Sequence, residues 1–356
     1  MKKKIIVIII AIFLFFVLAG IGSVVYLKNG LNPVDPNNKE EVLIEVKTYG
    51  KSLVDKLYDE GLIKNKYSGY IYLKLHNVAP QAGIYSLNKA MSFEEIIEKM
   101  NKGIVVDDSI SVTFVEGKRI PYFVSVVNKK FGYSEEEIYK TISDKEYLKE
   151  LINKYWFLTD DILNDKLYYA LEGYLYPDTY AFKKDASIKE IVEKLLTGMA
   201  NKLAQSRSLI DNSKYSVHEI LTMASIVELE GANSNDRNGV AGVFYNRLKK
   251  GMSLGSDVTT YYGAKVNMAD RDLYQKEIEE VNGYNTRPAA MAGKLPIGPI
   301  CGPSIDAIRA TLDPTEHSYL YFVADKNGKT YFNYDYNGHI KTINELKQKG
   351  LWYEYK

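Results

Sequence analysis

Two hydrophobic patterns divide the chain. Ile5 to Leu27 is a predominantly apolar run without a charge, with Lys2, Lys3 and Lys4 before it and Lys28 after it. At about 1.5 Å rise per residue, a helix of this length crosses a hydrocarbon core of about 30 Å. The apolar stretch of a cleaved signal peptide is shorter, roughly 7–15 residues, and this run continues past Gly20 and Gly22 into Val24, Val25, Tyr26 and Leu27. The pattern predicts a single uncleaved transmembrane helix within residues 1–28. The leading lysines favour a cytoplasmic N-terminus and place the remaining chain on the extracytoplasmic side of the cell membrane.

Residues 29–41 are polar and hold Pro33 and Pro36, which reads as a linker. From Val42 onward, shorter periodicities alternate. VLIEV is strand-like. SLVDKLYDEGLI has helical spacing at Leu53, Val54, Leu57 and Leu62, and KYSGYIYLKLH continues as helix. AGIYSL reads as a strand, and Ser92 with Glu95 forms a capping box ahead of FEEIIEKMNKG. These elements predict a small α+β module over 42–108. SISVTFVEG then reads as a strand opening a mixed α+β domain over 109–356. That domain is mostly helical from Pro121 to Ser206 apart from the aromatic stretch Leu171–Phe182. Ser216 and Glu219 box the start of VHEILTMASIVELE, which stops at Gly231, and VAGVFYNRLKKG is an amphipathic helix stopped by Gly251. Tyr319–Ala324 and Lys329–Asn333 flank an Asn-Gly turn and predict a hairpin. Thr342 and Glu345 predict a box before the last helix. LGSDVTTYYG (254–263) and the glycine- and proline-rich 284–304 read as ordered loops, the kind that carries function.

Composition narrows the chemistry. The 46 basic and 45 acidic side chains nearly cancel. A nucleic-acid partner needs a concentrated basic surface, so none is expected. Cys301 is the sole cysteine, which excludes an internal disulfide and a thiolate cluster. His76, His218, His317 and His339 lack the spacing of metal ligands. No G-x-S-x-G elbow, P-loop or dinucleotide fingerprint is present. The expectation is a reaction without metal or organic cofactor.

Glu228 is the chemically suggestive residue. On its capped helix Ile220, Ala224 and Val227 share a face, and Glu228 lies beside that stripe. A carboxyl held against apolar neighbours is expected to have a raised pKa, as a general acid near neutral pH requires. Glu230 points about 200° away around the helix and cannot share the site. The same pattern also suits a boundary residue that reaches water.

In order along the chain, AGIYSL, FVEG, LEGYLYPDTY, ASIVELE, VFYNRLKKGMSLGSD, YNT, LPIGPICGPS and YLYFVADKNGKTYFN resemble the MltG/YceG-like endolytic murein transglycosylases from about Val42 to the C-terminus. The resemblance implies that the 42–108 module is LysM-like and that Glu228, in A-S-I-V-E, is the catalytic glutamate. It further implies substrate-groove roles for Asn246, Ser256, Asp257, Tyr284, Asn285 and Thr286. The chain departs from the family pattern at Leu229 and Gly231, where lysine and threonine are usual, at Val258 in place of proline, and at Arg287 with the inserted AAMAGK. These departures bear on groove shape and substrate preference.

The resemblance also implies a mechanism. Hydrolases normally flank the scissile bond with two carboxyls, whereas a lytic transglycosylase can work with one. Glu228 would protonate the glycosidic oxygen between N-acetylmuramic acid and N-acetylglucosamine. It would then take the proton of the muramyl C6 hydroxyl as a 1,6-anhydro ring closes. The expected partners are peptidoglycan glycan strands, the membrane, and by placement the peptidoglycan synthases. Two other readings compete: a muramidase with Asp257 or Glu172 opposite Glu228, and a non-catalytic wall-binding scaffold.

Overall fold

The computed structural model describes residues 2–352 except 48, 77, 79, 107, 108, 232, 234 and 235, with residues 2–13 described by backbone only. It is a mixed α+β protein with one long apolar N-terminal helix, and it divides into two compact units. The first comprises residues 1–112 together with 179–185, and the second comprises 113–178 and 186–356. The expected boundary residue Asp108 lies outside the described residues.

In the first unit, α1 (Lys2–Leu31) leaves Leu14, Phe15, Phe16, Leu18, Ile21, Val24 and Val25 exposed, as a lipid-facing helix would. Its last turn is docked. Tyr26 accepts a hydrogen bond from Asn65 at 2.6 Å, and Gly30 is pressed so closely onto Ser68 that a Cβ there would lie 2.1 Å from Oγ. Leu31 packs against the module core, and the Asp35 amide donates to the Lys89 carbonyl at 3.0 Å. Residues 29–41, read as a linker from their polarity, therefore begin as helix and lie along the module. Polarity marked solvent contact here, not freedom to move.

Strands β1 (Val42–Val46) and β2 (Gly83–Leu87) pair antiparallel, from Val42 opposite Leu87 to Val46 opposite Gly83. They cover α2 (Lys51–Asp59), α3 (Lys66–His76) and α4 (Phe93–Asn101) around Ile44, Leu53, Leu57, Tyr85, Phe93 and Ile96. The Ser92–Glu95 box is formed as expected. β3 (Ser109–Thr113) pairs with β4 (Thr179–Lys183), so the chain returns to this unit after starting the second.

The second unit is largely helical. It holds α5 (Ile120–Phe131), α6 (Glu135–Ser143), α7 (Lys145–Lys154), α8 (Ile188–Ala204), α9 (Arg207–Asp211), α10 (Val217–Glu230), α11 (Arg237–Lys249), α12 (Asp257–Gly263), α13 (Gln275–Glu279), α14 (Ile305–Leu312) and α15 (Tyr336–Gln348). The hairpin of β5 (Tyr321–Ala324) and β6 (Thr330–Asn333) is present, its turn fixed by Asp325 accepting from the Asn327 and Lys329 amides. Two local expectations change. Asp257–Gly263 is helix where turn residues suggested loop. α15 is capped by Asp335, while Thr342 lies inside it and bonds back to the Gly338 carbonyl.

At the centre stands α10, boxed by Ser216 and Glu219 and packed with α11 and α14 around Met223, Ile226, Val227, Val240, Phe244 and Ala307. It is buried on nearly every side, more than the single stripe expected. Three of its polar side chains, His218, Ser225 and Glu228, meet the segment 297–304. His218 Nε2 meets the Ile297 carbonyl at 2.8 Å and therefore carries the hydrogen, so Nδ1 accepts from the Tyr174 hydroxyl at 2.7 Å. Ser225 Oγ accepts from the Ile300 amide at 3.0 Å, and the Ser225 carbonyl accepts from Cys301 Sγ at 3.4 Å.

Glu172, a candidate second carboxyl, is only 3% exposed. It accepts from the Ile120 amide at 3.1 Å and the Tyr262 hydroxyl at 3.2 Å, tying the start of α5 to α12. Burial pushes it up to about 7 from an ordinary 4.5, against the lowering pull of those hydrogen bonds and of Arg119. Its folded pKa lies above its unfolded one, so between about 4.5 and 7 the folded chain holds a proton that the unfolded chain has lost. Stability from this group is thus greatest at the acid end and declines as pH rises through that window. With about 1.4 kcal/mol per pKa unit, the span is on the order of 3 kcal/mol. Replacing the carboxyl by an amide removes the titration, so Glu172→Gln should gain on wild type as pH rises from 4.5 to 7. Thermal melting of both proteins across that range tests this, and a constant difference in Tm would refute it.

Candidate active site

The buried helix α10 ends in Glu228, Leu229 and Glu230, which leave it in three directions. Glu228 is held by three donors. Arg237 Nη2 donates to Oε1 at 2.8 Å, and the Ser304 amide and hydroxyl donate to Oε2 at 2.9 and 2.5 Å. Ser304 is the N-cap of α14, its Oγ accepting from the Ala307 amide at 3.2 Å and from Arg237 Nη1 at 2.9 Å. With its acceptor capacity filled, the hydroxyl hydrogen is left to point at Glu228. The Glu228 side chain is 8% exposed and that of Arg237 14%. The apolar surroundings expected from the Ile220–Ala224–Val227 stripe thus hold for the helix behind Glu228, while the carboxyl itself meets charged and polar donors.

A loop closes over the other side. Gly117, at φ +69°, lies so near α10 that a Cβ there would stand 3.4 Å from Leu229 Cδ2 and 3.9 Å from Glu228 Cγ. Its amide donates to the Gly302 carbonyl at 2.8 Å, and the Gly302 amide returns a bond to the Lys118 carbonyl at 2.9 Å. The exposed Glu116 is the residue before this contact, and the Glu228 charge opposes its ionisation.

Glu230 belongs to a different neighbourhood, as its helix angle required. It accepts from Ser256 Oγ at 2.6 Å. Burial raises its pKa, opposed by the Ser256 bond and the charges of Arg247 and Arg287. Asp257 is exposed at the start of α12 and forms an ion pair with Arg287.

The other expected groove residues are enclosed. Ser256 is 3% exposed, and Tyr284, Asn285 and Thr286 are fully buried. The Tyr284 hydroxyl accepts from the Tyr168 amide at 3.2 Å. Asn285 donates to the carbonyls of Glu277, Ile278 and Glu280 and accepts from Thr260. Thr286 Oγ1 accepts from the Ser256 amide at 3.1 Å and shares a hydrogen bond with Thr259. Asn246 Nδ2 donates to the carbonyls of His317 and Tyr319 at 2.7 and 3.0 Å. In this arrangement these side chains hold loops in place; Asp257 is exposed and Asn246 half-buried.

Arg237, Ser304 and Glu116 complete the surroundings of Glu228 without having been singled out in the sequence. Ser304 stood at the end of a flagged loop and Glu116 within FVEG, but their separations from Glu228 of 76 and 112 positions gave no sign of contact.

Three comparisons bear on this arrangement. The YceG-like family matches residues 42–345. A protein of Bacillus subtilis named endolytic murein transglycosylase is 32% identical over 92% of this chain and 90% of its own length. A Streptococcus pneumoniae protein of the same name is 30% identical over 90% of this chain, which spans 61% of that longer protein. A crystal structure of a YceG-like protein from Listeria monocytogenes superposes with a TM-score of 0.61 at 32% identity, covering 85% of this chain and 99% of that one. The chain belongs to the YceG-like family.

Proposed function

We propose that this chain is a membrane-anchored lytic transglycosylase that cuts peptidoglycan glycan strands internally, with Glu228 as its central proton-handling group. The observation that carries the reading is the Glu228 carboxyl itself. It is set at the end of a buried helix, aimed by Arg237 and Ser304, and roofed by the loop at Gly117. The relatives named endolytic murein transglycosylase support the substrate class and the reaction. One carboxyl suffices chemically for proton transfer to the glycosidic oxygen followed by proton uptake from the muramyl C6 hydroxyl, whose oxygen bonds to C1 and closes the anhydro ring. Of the two carboxyls named as partners for Glu228 in a muramidase, neither is seen facing it. Glu172 is sealed in the core and Asp257 is engaged by Arg287.

The apolar helix α1 supports a single membrane span, and its packed last turn holds the first unit at the bilayer in place of a free tether. Residues 42–108 of that unit are the LysM-like module in this reading. Such an anchor confines the enzyme to new strands near the membrane, where cutting ends strand growth beside the synthases.

Glu228→Gln keeps the size and accepting oxygen of the side chain but cannot cycle a proton. The rate of strand cleavage should fall by about 10²–10⁴ or more, with the melting temperature little changed. Mass spectrometry of wild-type digests should show 1,6-anhydro-muramyl ends. Reducing ends would instead establish hydrolysis. In cells lacking this chain, glycan strands should lengthen and anhydro ends decline, as read by chromatography of released glycans. Unchanged length in a strain without another internal glycan cutter would overturn the strand-termination reading.

A further inference from the structure

The contacts of Glu228 raise a question about the source of the proton. All three side-chain and backbone partners use it as an acceptor, and Ser304, filled by Arg237 and Ala307, is oriented to donate to it. This hydrogen-bond set suits a group that receives a proton. The first half of a transglycosylation instead needs a group that delivers one, and a second carboxyl, Glu116, lies one residue before the Gly117 contact with Glu228.

We infer that Glu116 is a further catalytic residue, the acid that protonates the departing glycosidic oxygen, while Glu228 acts as the base toward the muramyl C6 hydroxyl. The inference rests on the transglycosylase reading above and divides between two residues what one could do alone. Its geometric basis is the backbone clasp. The reciprocal bonds between 117–118 and Gly302 fix the FVEG loop on the segment that carries Ser304, so both carboxyls are indexed to one piece of backbone. The left-handed Gly117 brings that loop within van der Waals reach of Glu228, and Glu116 remains exposed where a substrate can meet it.

The charges around Glu116 fit a proton carrier. Glu228 of α10, Asp306 of α14 and Asp178 all oppose its ionisation, and Arg237 of α11 favours it. Crowding by the protein and then the Glu228 charge raise its pKa, although water at its exposed side damps the effect. A carboxyl whose ionisation is opposed by its surroundings is suited to deliver a proton.

The steps balance. The proton leaves Glu116 for the glycosidic oxygen as the C1–O bond breaks, and its electron pair stays with the leaving sugar hydroxyl. The muramyl O6 then bonds to C1 as its proton passes to the Glu228 carboxylate. Loss of that proton from Glu228 to solvent and uptake of one by Glu116 restore the starting state with no net proton change.

The test uses the full-length protein in detergent with two substrates. One is an uncrosslinked glycan strand, and the other is a muramyl oligosaccharide with an aryl leaving group that departs without protonation. Glu116→Gln should slow strand cleavage by about 10²–10⁴ while keeping aryl cleavage within about tenfold of wild type. It should also abolish the fall in rate that wild type shows as pH rises through the raised pKa of Glu116. Glu116→Asp should recover part of the strand activity, and Glu228→Gln should fail on both substrates. Near-wild-type strand cleavage by Glu116→Gln, equal loss on both substrates, or an unchanged alkaline limb would each overturn the assignment. If wild type makes no anhydro ends, the underlying reading fails. If it does and Glu116→Gln does so equally fast, only the role of Glu116 falls.

Discussion

The second unit depends on the lacing of α10 to the segment 297–304. A helix buried on nearly every side must satisfy its buried polar side chains within the protein, because each unpaired group would cost about 1–3 kcal/mol. His218, Ser225 and Glu228 do so at Ile297, Ile300 and Ser304, in the same order along both pieces of chain. The ladder makes the position of Ser304, and with it the start of α14, a consequence of where α10 lies. The carboxyl at the end of the ladder therefore inherits its geometry from the rigid core behind it. That is what a group moving protons over hydrogen-bond distances requires.

The lacing also explains the glycines near it. Gly173, at φ +80°, faces Pro299 so closely that a Cβ would meet the proline ring at 2.3 Å. A side chain at Gly298 would strike Leu167 at 2.7 Å. These positions let an irregular segment lie flat against the core, and Gly302 extends the effect by exchanging hydrogen bonds with the FVEG loop. The segment thus clamps α10 on one side and positions Glu116 on the other. Roof and floor of the site are set by one stretch of backbone.

What the sequence revealed follows from the range of the interactions involved. The Ser92 and Ser216 boxes, the Asn-Gly hairpin and the membrane-length run depend on neighbours within a few positions, and local spacing showed all of them. The angular separation of Glu228 and Glu230 was equally legible, since 3.6 residues per turn fixes it. Contacts across 76 or 112 positions have no local signature, so Ser304 and Glu116 could not be joined to Glu228. Tyr284, Asn285 and Thr286 illustrate a different limit. Their polarity within a turn-rich loop suggested exposure, yet polar side chains also serve to satisfy a loop's own backbone when it is folded inward, and Asn285 caps three carbonyls in that way. The docking at the start of 29–41 was hidden for a related reason, because one glycine, Gly30, allows a close approach that composition cannot show.

The departures from the family pattern acquire physical meaning when placed around this frame. Val258 is 4% exposed and fills the core beside Tyr262, so it acts in packing. Arg287 pairs with Asp257 at the surface and adds positive charge near Glu230, on the side of α10 away from Ser304. Leu229 lies against Gly117 and so supports the loop that holds Glu116. Gly231 is the most consequential. A Cβ there would sit 2.7 Å from Arg237 Cγ and 2.9 Å from the Val227 carbonyl, so the usual threonine could not be accommodated with Arg237 folded as it is. The small residue lets the guanidinium approach closely enough to bond Glu228 and Ser304 together. Leu229 and Gly231 therefore bear on the supports of the carboxyl, Val258 and Arg287 lie away from it, and the ladder from α10 keeps the carboxyl in place.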